Sequence, residues 1–185
     1  MDMQNTNQKE HKQPGRVHLY VGDGKGKTTA SAGLSLRVLG CGEKVLFCQF
    51  LKGRATNEIQ PLEQLGATVR RAKCGQKFVF QMDEAEKAQL RSDHNDCLAQ
   101  TAADAASGEY RLVVLDEVVD AVNVGAVSLE AVLDLLRQRH PQVEVVMTGR
   151  NPKPELVDAA DYYTEFVCRK HPYQQGVPSR PGVEY

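Results

Sequence analysis

The sequence predicts an α/β fold of three layers (α/β/α), with helices on both faces of a mostly parallel sheet, and three observations carry that expectation. Short apolar β-type runs alternate with segments of helical spacing along most of the chain, which is the mark of βαβ units. The first run ends in a glycine cluster that opens a helix, the strand, loop and helix order of a P-loop nucleotide-binding fold. The run Leu112 to Leu115 is apolar at every position, as a strand covered on both faces must be.

The elements run in order along the chain. Val17-His18-Leu19-Tyr20-Val21 reads as a strand, and Lys27 to Leu39, rich in Ala, Ser and Leu, as a helix. Lys44 to Phe50 is a second strand, Glu58 to Leu65 a short helix, and Ala67 to Ala72 a third strand behind the turn residue Gly66. Asp83 to Ser107 is the longest helical segment, opened by an Asp83/Glu86 capping box and closed by Gly108. Arg111 to Asp116 is the apolar strand. Ser128 to Arg139 has Leu129, Val132, Leu133 and Leu136 at helical spacing, with Pro141 just beyond. Val143 to Met147, a short helix over Pro152 to Ala160 and a strand over Tyr162 to Cys168 complete the alternation. Residues 1–15 are polar and read as a flexible segment, residues 16–185 as a single P-loop α/β domain, and residues 170–185 as its tail without regular period.

Composition limits the function classes. The 185 residues suffice for one domain with a proper core. With 23 Lys+Arg against 24 Asp+Glu the net charge is −1, so no electrostatic footprint marks nucleic acid as the main partner. Five cysteines, none in a C-x-x-C pair, suggest neither a disulfide framework nor a zinc site. With no apolar stretch of membrane or signal length, the expected address is the cytoplasm.

The chemistry gathers at Gly22-Asp23-Gly24-Lys25-Gly26-Lys27-Thr28-Thr29. Glycines let backbone N–H groups turn toward phosphate oxygens, and the following helix adds its positive end. Lys27 is placed to reach the phosphates and the Thr28 hydroxyl to ligate Mg²⁺ (or Mn²⁺). The usual G-x-x-x-x-G-K-[ST] spacing asks for glycine at Val21, so this loop is one residue tighter and implies no ordinary nucleotide pose. Asp116 and Glu117, at the end of the apolar strand, are the second metal-site candidates. On a continuing strand they point to opposite faces, so only one ligates unless the chain bends, and the choice stays open.

These residues resemble the bacterial P-loop corrinoid adenosyltransferases. The resemblance rests on the tight loop, Arg37, Gln49-Phe50-Leu51-Lys52-Gly53, Asn57-Glu58, Val113 to Glu117, Thr148-Gly149-Arg150, Lys170-His171 to Gly176, and Gly182-Val183-Glu184-Tyr185. It implies transfer of the 5′-deoxyadenosyl group of ATP to the Co(I) centre of a corrinoid, with release of triphosphate. Co(I) is itself the nucleophile, so no Ser, Cys or His nucleophile is required. By the same resemblance Arg37 joins Lys27 and Thr28 in stabilising the leaving triphosphate, and Phe78 and Phe80 pack against the corrinoid. The residues alone allow other readings: Phe78 and Phe80 as core positions on one face of a strand, and Arg37, Glu58, Arg150, Lys170 and His171 as solvated charges. A homodimer and a flavoprotein reductant also come with the resemblance. The competing readings are a P-loop small-molecule kinase or NTPase, which releases ADP or phosphate, and an ATP-binding regulatory module.

Overall fold

The computed structural model describes residues 13–75, 77 and 79–184. Six strands form one sheet: β1 (Val17–Val21), β2 (Val45–Gln49), β3 (Thr68–Arg71), β4 (Leu112–Asp116), β5 (Glu144–Gly149) and β6 (Tyr162–Glu165). Their order is β3-β2-β4-β5-β1-β6, and every pairing among the described residues is parallel. Parallel neighbours need crossovers, and the helices supply them. These are α1 (Lys27–Gly40), α2 (Ile59–Gln64), α3 (Glu84–Ser107), α4 (Val118–Asn123), α5 (Leu129–Gln138) and α6 (Pro154–Asp158).

Alternation along the strands divides the core in two. Val17, Leu19, Val21, Leu46, Cys48, Val113, Leu115, Val145 and Met147 face the side covered by α3, α4, α5 and α6. Val45, Phe47, Leu112, Val114 and Val146 face the side where α1 and α2 bring Ala32, Val38, Ile59 and Leu62. Both faces are therefore covered, and β2 and β4 are buried at every position, which is why they read as unbroken apolar runs.

Helix ends obey the local signals. The Asp83 side chain accepts from the Glu86 N–H, the Glu86 side chain accepts from the Asp83 N–H, and Gly108 closes α3 at φ 74°. Ser128 caps α5, and Pro154 opens α6 where its missing N–H costs nothing.

Three details differ from the sequence reading. Residues 118–127 carry no predicted element, yet β-branched Val118, Val119 and Val122 form α4 because burial against β5 outweighs their weak helix preference. The last strand stops at Glu165, since Phe166 to Cys168 leave the sheet to bond the glycine loop. Phe80 lies on a 3₁₀ turn (Val79–Gln81) and is 82% exposed, which removes the core-strand alternative for it. Phe78 lies outside the described residues. No helix among the described residues is long and apolar enough to cross a membrane.

Candidate active site at the strand ends

In an open parallel sheet the carboxyl ends of the strands are where ligands bind. Here β1 delivers the glycine loop, β2 delivers Gln49 and then Lys52, β4 delivers Asp116 and Glu117, and β5 delivers Thr148.

The loop is held from outside as well as from within. The Gly24 N–H donates to the Phe166 carbonyl at 2.7 Å, and the Cys168 N–H donates to Asp23 Oδ1 at 3.0 Å. The strap lies so close that a Cβ on Gly22 would stand 2.4 Å from the Phe166 oxygen, and one on Gly24 would stand 2.7 Å from the Phe166 carbonyl carbon. Gly22 also adopts φ 110°, so both steric space and backbone conformation demand glycine there. Within the loop the Lys27 ammonium donates to the carbonyls of Gly22 (2.7 Å) and Gly24 (2.9 Å). Its pKa is lowered, first by burial and then by the Arg150 charge, partly offset by Asp120, Asp23 and Glu117.

Asp116 is the centre of the polar network and is fully buried. Its Oδ1 accepts from Thr28 Oγ1 at 2.9 Å and from Thr148 Oγ1 at 2.8 Å, while Oδ2 accepts from Gln49 Nε2 at 3.3 Å. Gln49 in turn donates to Glu58 at 2.8 Å and accepts from Thr56 at 3.3 Å. Burial pushes the Asp116 carboxyl upward, against the pull of Lys52 and the two hydroxyls.

The chain does bend after Asp116. Glu117 takes the left-handed conformation (φ 61°, ψ 17°), and its N–H donates to Thr148 Oγ1 at 2.9 Å. The two acids thereby share one cation: Lys52 Nζ is 2.7 Å from Glu117 Oε1 and 3.8 Å from Asp116 Oδ2. A hydroxyl and two carboxylates form a hard oxygen donor set, the kind magnesium takes when phosphate and water complete its shell. Among the described residues there is no cluster of three or more His, Cys, Asp or Glu able to hold a metal by itself.

A cleft of about 350 Å³ adjoins this network, lined by Thr28, Thr29, Lys52, Thr56 and Glu58 together with Gly182 to Glu184 of the tail. Lys25 reaches Glu184 at 3.8 Å, and the Arg180 side chain and backbone N–H also bond that carboxylate, which they hold down to about 2.

Gly22 to Thr29, Asp116 and Glu117 thus stand on one rim. Arg37 does not join them: it is exposed in the last turn of α1, ten residues from Lys27, or roughly 15 Å along the axis at 1.5 Å per residue. Lys52, Gln49 and Thr148 were missed as individual site residues. Their signal is a polar residue placed at, or just beyond, the end of an otherwise apolar strand.

The family described as ATP:corrinoid adenosyltransferase BtuR/CobO/CobP matches residues 13–185. A corrinoid adenosyltransferase of Pseudomonas aeruginosa is 33% identical over 173 residues, spanning 92% of this chain and 84% of the relative. One from Escherichia coli K12 is 31% identical over 172 residues, spanning 92% and 86%. The corrinoid adenosyltransferase CobA of Salmonella typhimurium is 33% identical over 175 residues with the same two shares. A match over nearly the whole chain, on a parallel sheet with a glycine loop and paired acids at its rim, places the protein in one family: it belongs to the ATP:corrinoid adenosyltransferases.

Proposed function

We propose that the protein transfers the 5′-deoxyadenosyl group of ATP to the Co(I) centre of a corrinoid and releases triphosphate. The observation that carries this reading is the Thr28–Asp116–Thr148 network beside the glycine loop, next to a cleft whose lining among the described residues includes no Ser, Cys or His. The residues around the cleft supply hydroxyls, cations and carboxylates. That is the inventory for holding a polyphosphate leaving group while a substrate supplies the attacking electron pair.

In this reading Lys27 and the loop N–H groups bind the triphosphate, and Lys52 stands where it can share the developing charge. Thr28, Asp116 and Glu117 would hold a magnesium or manganese ion, whose charge would assist triphosphate departure. Asp116 is kept in place by Thr28, Thr148 and Gln49, so the acid does not have to reorganise on binding. Glu184 and Val183 bring the tail against the nucleotide cleft. The corrinoid is read as lying against the same rim, with Phe80 as an apolar contact. A homodimer, a flavoprotein reductant and a cytoplasmic address belong to the same proposal and rest on the family resemblance.

The test is an anaerobic assay with Mg-ATP and chemically reduced cobalamin. A light-sensitive cobalt–carbon product accompanied by intact triphosphate is the expected outcome. ADP or phosphate without a corrinoid product would assign the loop to phosphoryl transfer instead.

A further inference from the structure

Strand β2 ends at Gln49, and within three residues the chain must turn so that Lys52 enters the cleft. Phe50 is fully buried, and the next residue, Leu51, adopts φ 53°, a left-handed conformation that costs a non-glycine residue about 1–2 kcal/mol. Glycine would remove that cost, so the conformation of Leu51 must be held by something else. The Leu51 N–H donates to Nε2 of His94, on α3, at 3.1 Å. His94 is fully buried, and its Nδ1–H donates to the Leu90 carbonyl one turn earlier at 2.9 Å. Both ring nitrogens are committed, which fixes the tautomer, and the ring packs 6.0 Å from the Phe50 ring. Burial lowers the His94 pKa, in keeping with a neutral ring whose Nε2 can accept. On the far side of the turn, Arg71 donates to the Lys52 carbonyl at 2.9 Å and to the Arg54 carbonyl.

We propose that His94 is the positioning residue for Lys52: it holds Leu51 in the left-handed turn that delivers the Lys52 ammonium to Asp116 and Glu117. The consequence for catalysis rests on the proposed function, but the turn and its effect on Lys52 do not. His94 is hydrogen-bonded to neither acid and acts on Lys52 through the turn, by the Leu51 amide and its packing on Phe50.

The first test is reductive methylation followed by peptide mass mapping. Lys52, seated on two acids, is expected to react slowly in the wild type and about tenfold faster in His94→Met, which fills similar space with only a weak sulfur acceptor in place of Nε2. Lys44, whose side chain is 64% exposed, serves as the unchanged internal reference. His94→Gln, whose Oε1 can take the place of Nε2, is expected to restore protection. If His94→Met is too unstable to isolate, His94→Asn replaces it, since its amide reaches the Leu90 carbonyl but stops short of Leu51. Equal Lys52 reactivity in all variants overturns the proposal.

The second test is a double-mutant cycle on kcat/KM for ATP. His94→Met is expected to cost about tenfold in the wild-type background and less than about twofold beside Lys52→Met. Losses that simply add would make His94 a structural residue only. If the wild type transfers no adenosyl group at all, the proposed function fails and the labelling result still decides on His94.

Discussion

Asp116→Asn removes one charge from a side chain with no exposure, and the hydrogen bonds around it decide the outcome. Two hydroxyls already donate to Oδ1 at 2.9 and 2.8 Å, so the amide oxygen takes that side. The new NH₂ then faces the donors of Gln49 at 3.3 Å and Lys52 at 3.8 Å. Gln49 cannot flip to accept without losing its bond to Glu58 and setting its own amide oxygen against that carboxylate. An unmet buried donor costs about 1–3 kcal/mol. Burying a neutral amide in place of a carboxylate returns a similar amount, so unfolding free energy should move by less than about 2 kcal/mol. Metal binding should respond far more. A carboxylate charge about 4 Å from a divalent ion is worth about 8 kcal/mol at an effective dielectric of 20, and desolvation takes more than half of it. A remainder of roughly 3 kcal/mol is about 150-fold. Calorimetric titration of ATP with and without Mg²⁺ separates the effects: the metal-dependent affinity and kcat/KM fall by roughly two orders of magnitude, while metal-free affinity holds or improves. An equal loss with and without metal, or a metal-dependent change below about threefold, would refute the role of Asp116 in metal binding.

If Phe80 packs against the lower face of the corrinoid and displaces its axial ligand, which the family resemblance implies and which makes Co(II) easier to reduce, Phe80→Ala should slow turnover that starts from Co(II) far more than turnover from pre-reduced Co(I), and equal losses would remove that role. Gly149→Ala places a Cβ 2.6 Å from that of Val119 and 2.7 Å from Asp120 Oδ2, at φ 152°. It should lower the urea unfolding free energy by about 2–4 kcal/mol, and an unchanged midpoint would show that α4 can retreat. Burial pushes the Glu144 carboxyl up, but the His18 ring N–H, the Arg16 backbone N–H and nearby Arg111 outweigh it and hold the group below its ordinary value of 4.5. A depressed folded-state value contributes stability above that pH and loses it as pH falls through the folded value. Glu144→Gln should therefore destabilise more at pH 7 than at pH 3, and thermal melts showing a pH-independent difference would contradict this linkage.

The sheet and most helices were legible because their signals are local: period, caps and turn residues. The Asp83/Glu86 box and Gly108 set both ends of α3. Helix α4 was not legible, since Val118, Val119 and Val122 favour strands by local preference and only burial against β5 makes them helical. In the site, the glycine loop and the acid pair could be read from their position at strand ends. Two features could not be read: the bend at Glu117, which depends on a hydrogen bond to Thr148 thirty-one residues away, and the aim of Lys52, which depends on the αL turn at Leu51. Arg37 came with the family resemblance alone, and the fold places it in the last turn of α1, ten helical residues from Lys27.

The polar row across the sheet explains how the site can be both buried and preformed. Gln49 pairs in register with Asp116 at the ends of β2 and β4, and Thr148 ends the apolar stretch of β5 beside them. Apolar packing on both faces drives these three polar residues out of water along with their strands, which would be costly if any stood alone. It is tolerable because Asp116 accepts from a neighbour on each side and from Thr28 below, so each burial is compensated by the next. The sheet therefore holds the Asp116 carboxylate in place by its own hydrogen bonds, before any ligand binds. Rearrangement is left to the two cations: Lys27, which sits on the Gly22 and Gly24 carbonyls, and Lys52, which sits on Asp116 and Glu117. Under the proposed function both must exchange protein acceptors for phosphate oxygens. A metal ion arriving with the triphosphate would favour that exchange at Lys52 by taking over its acids.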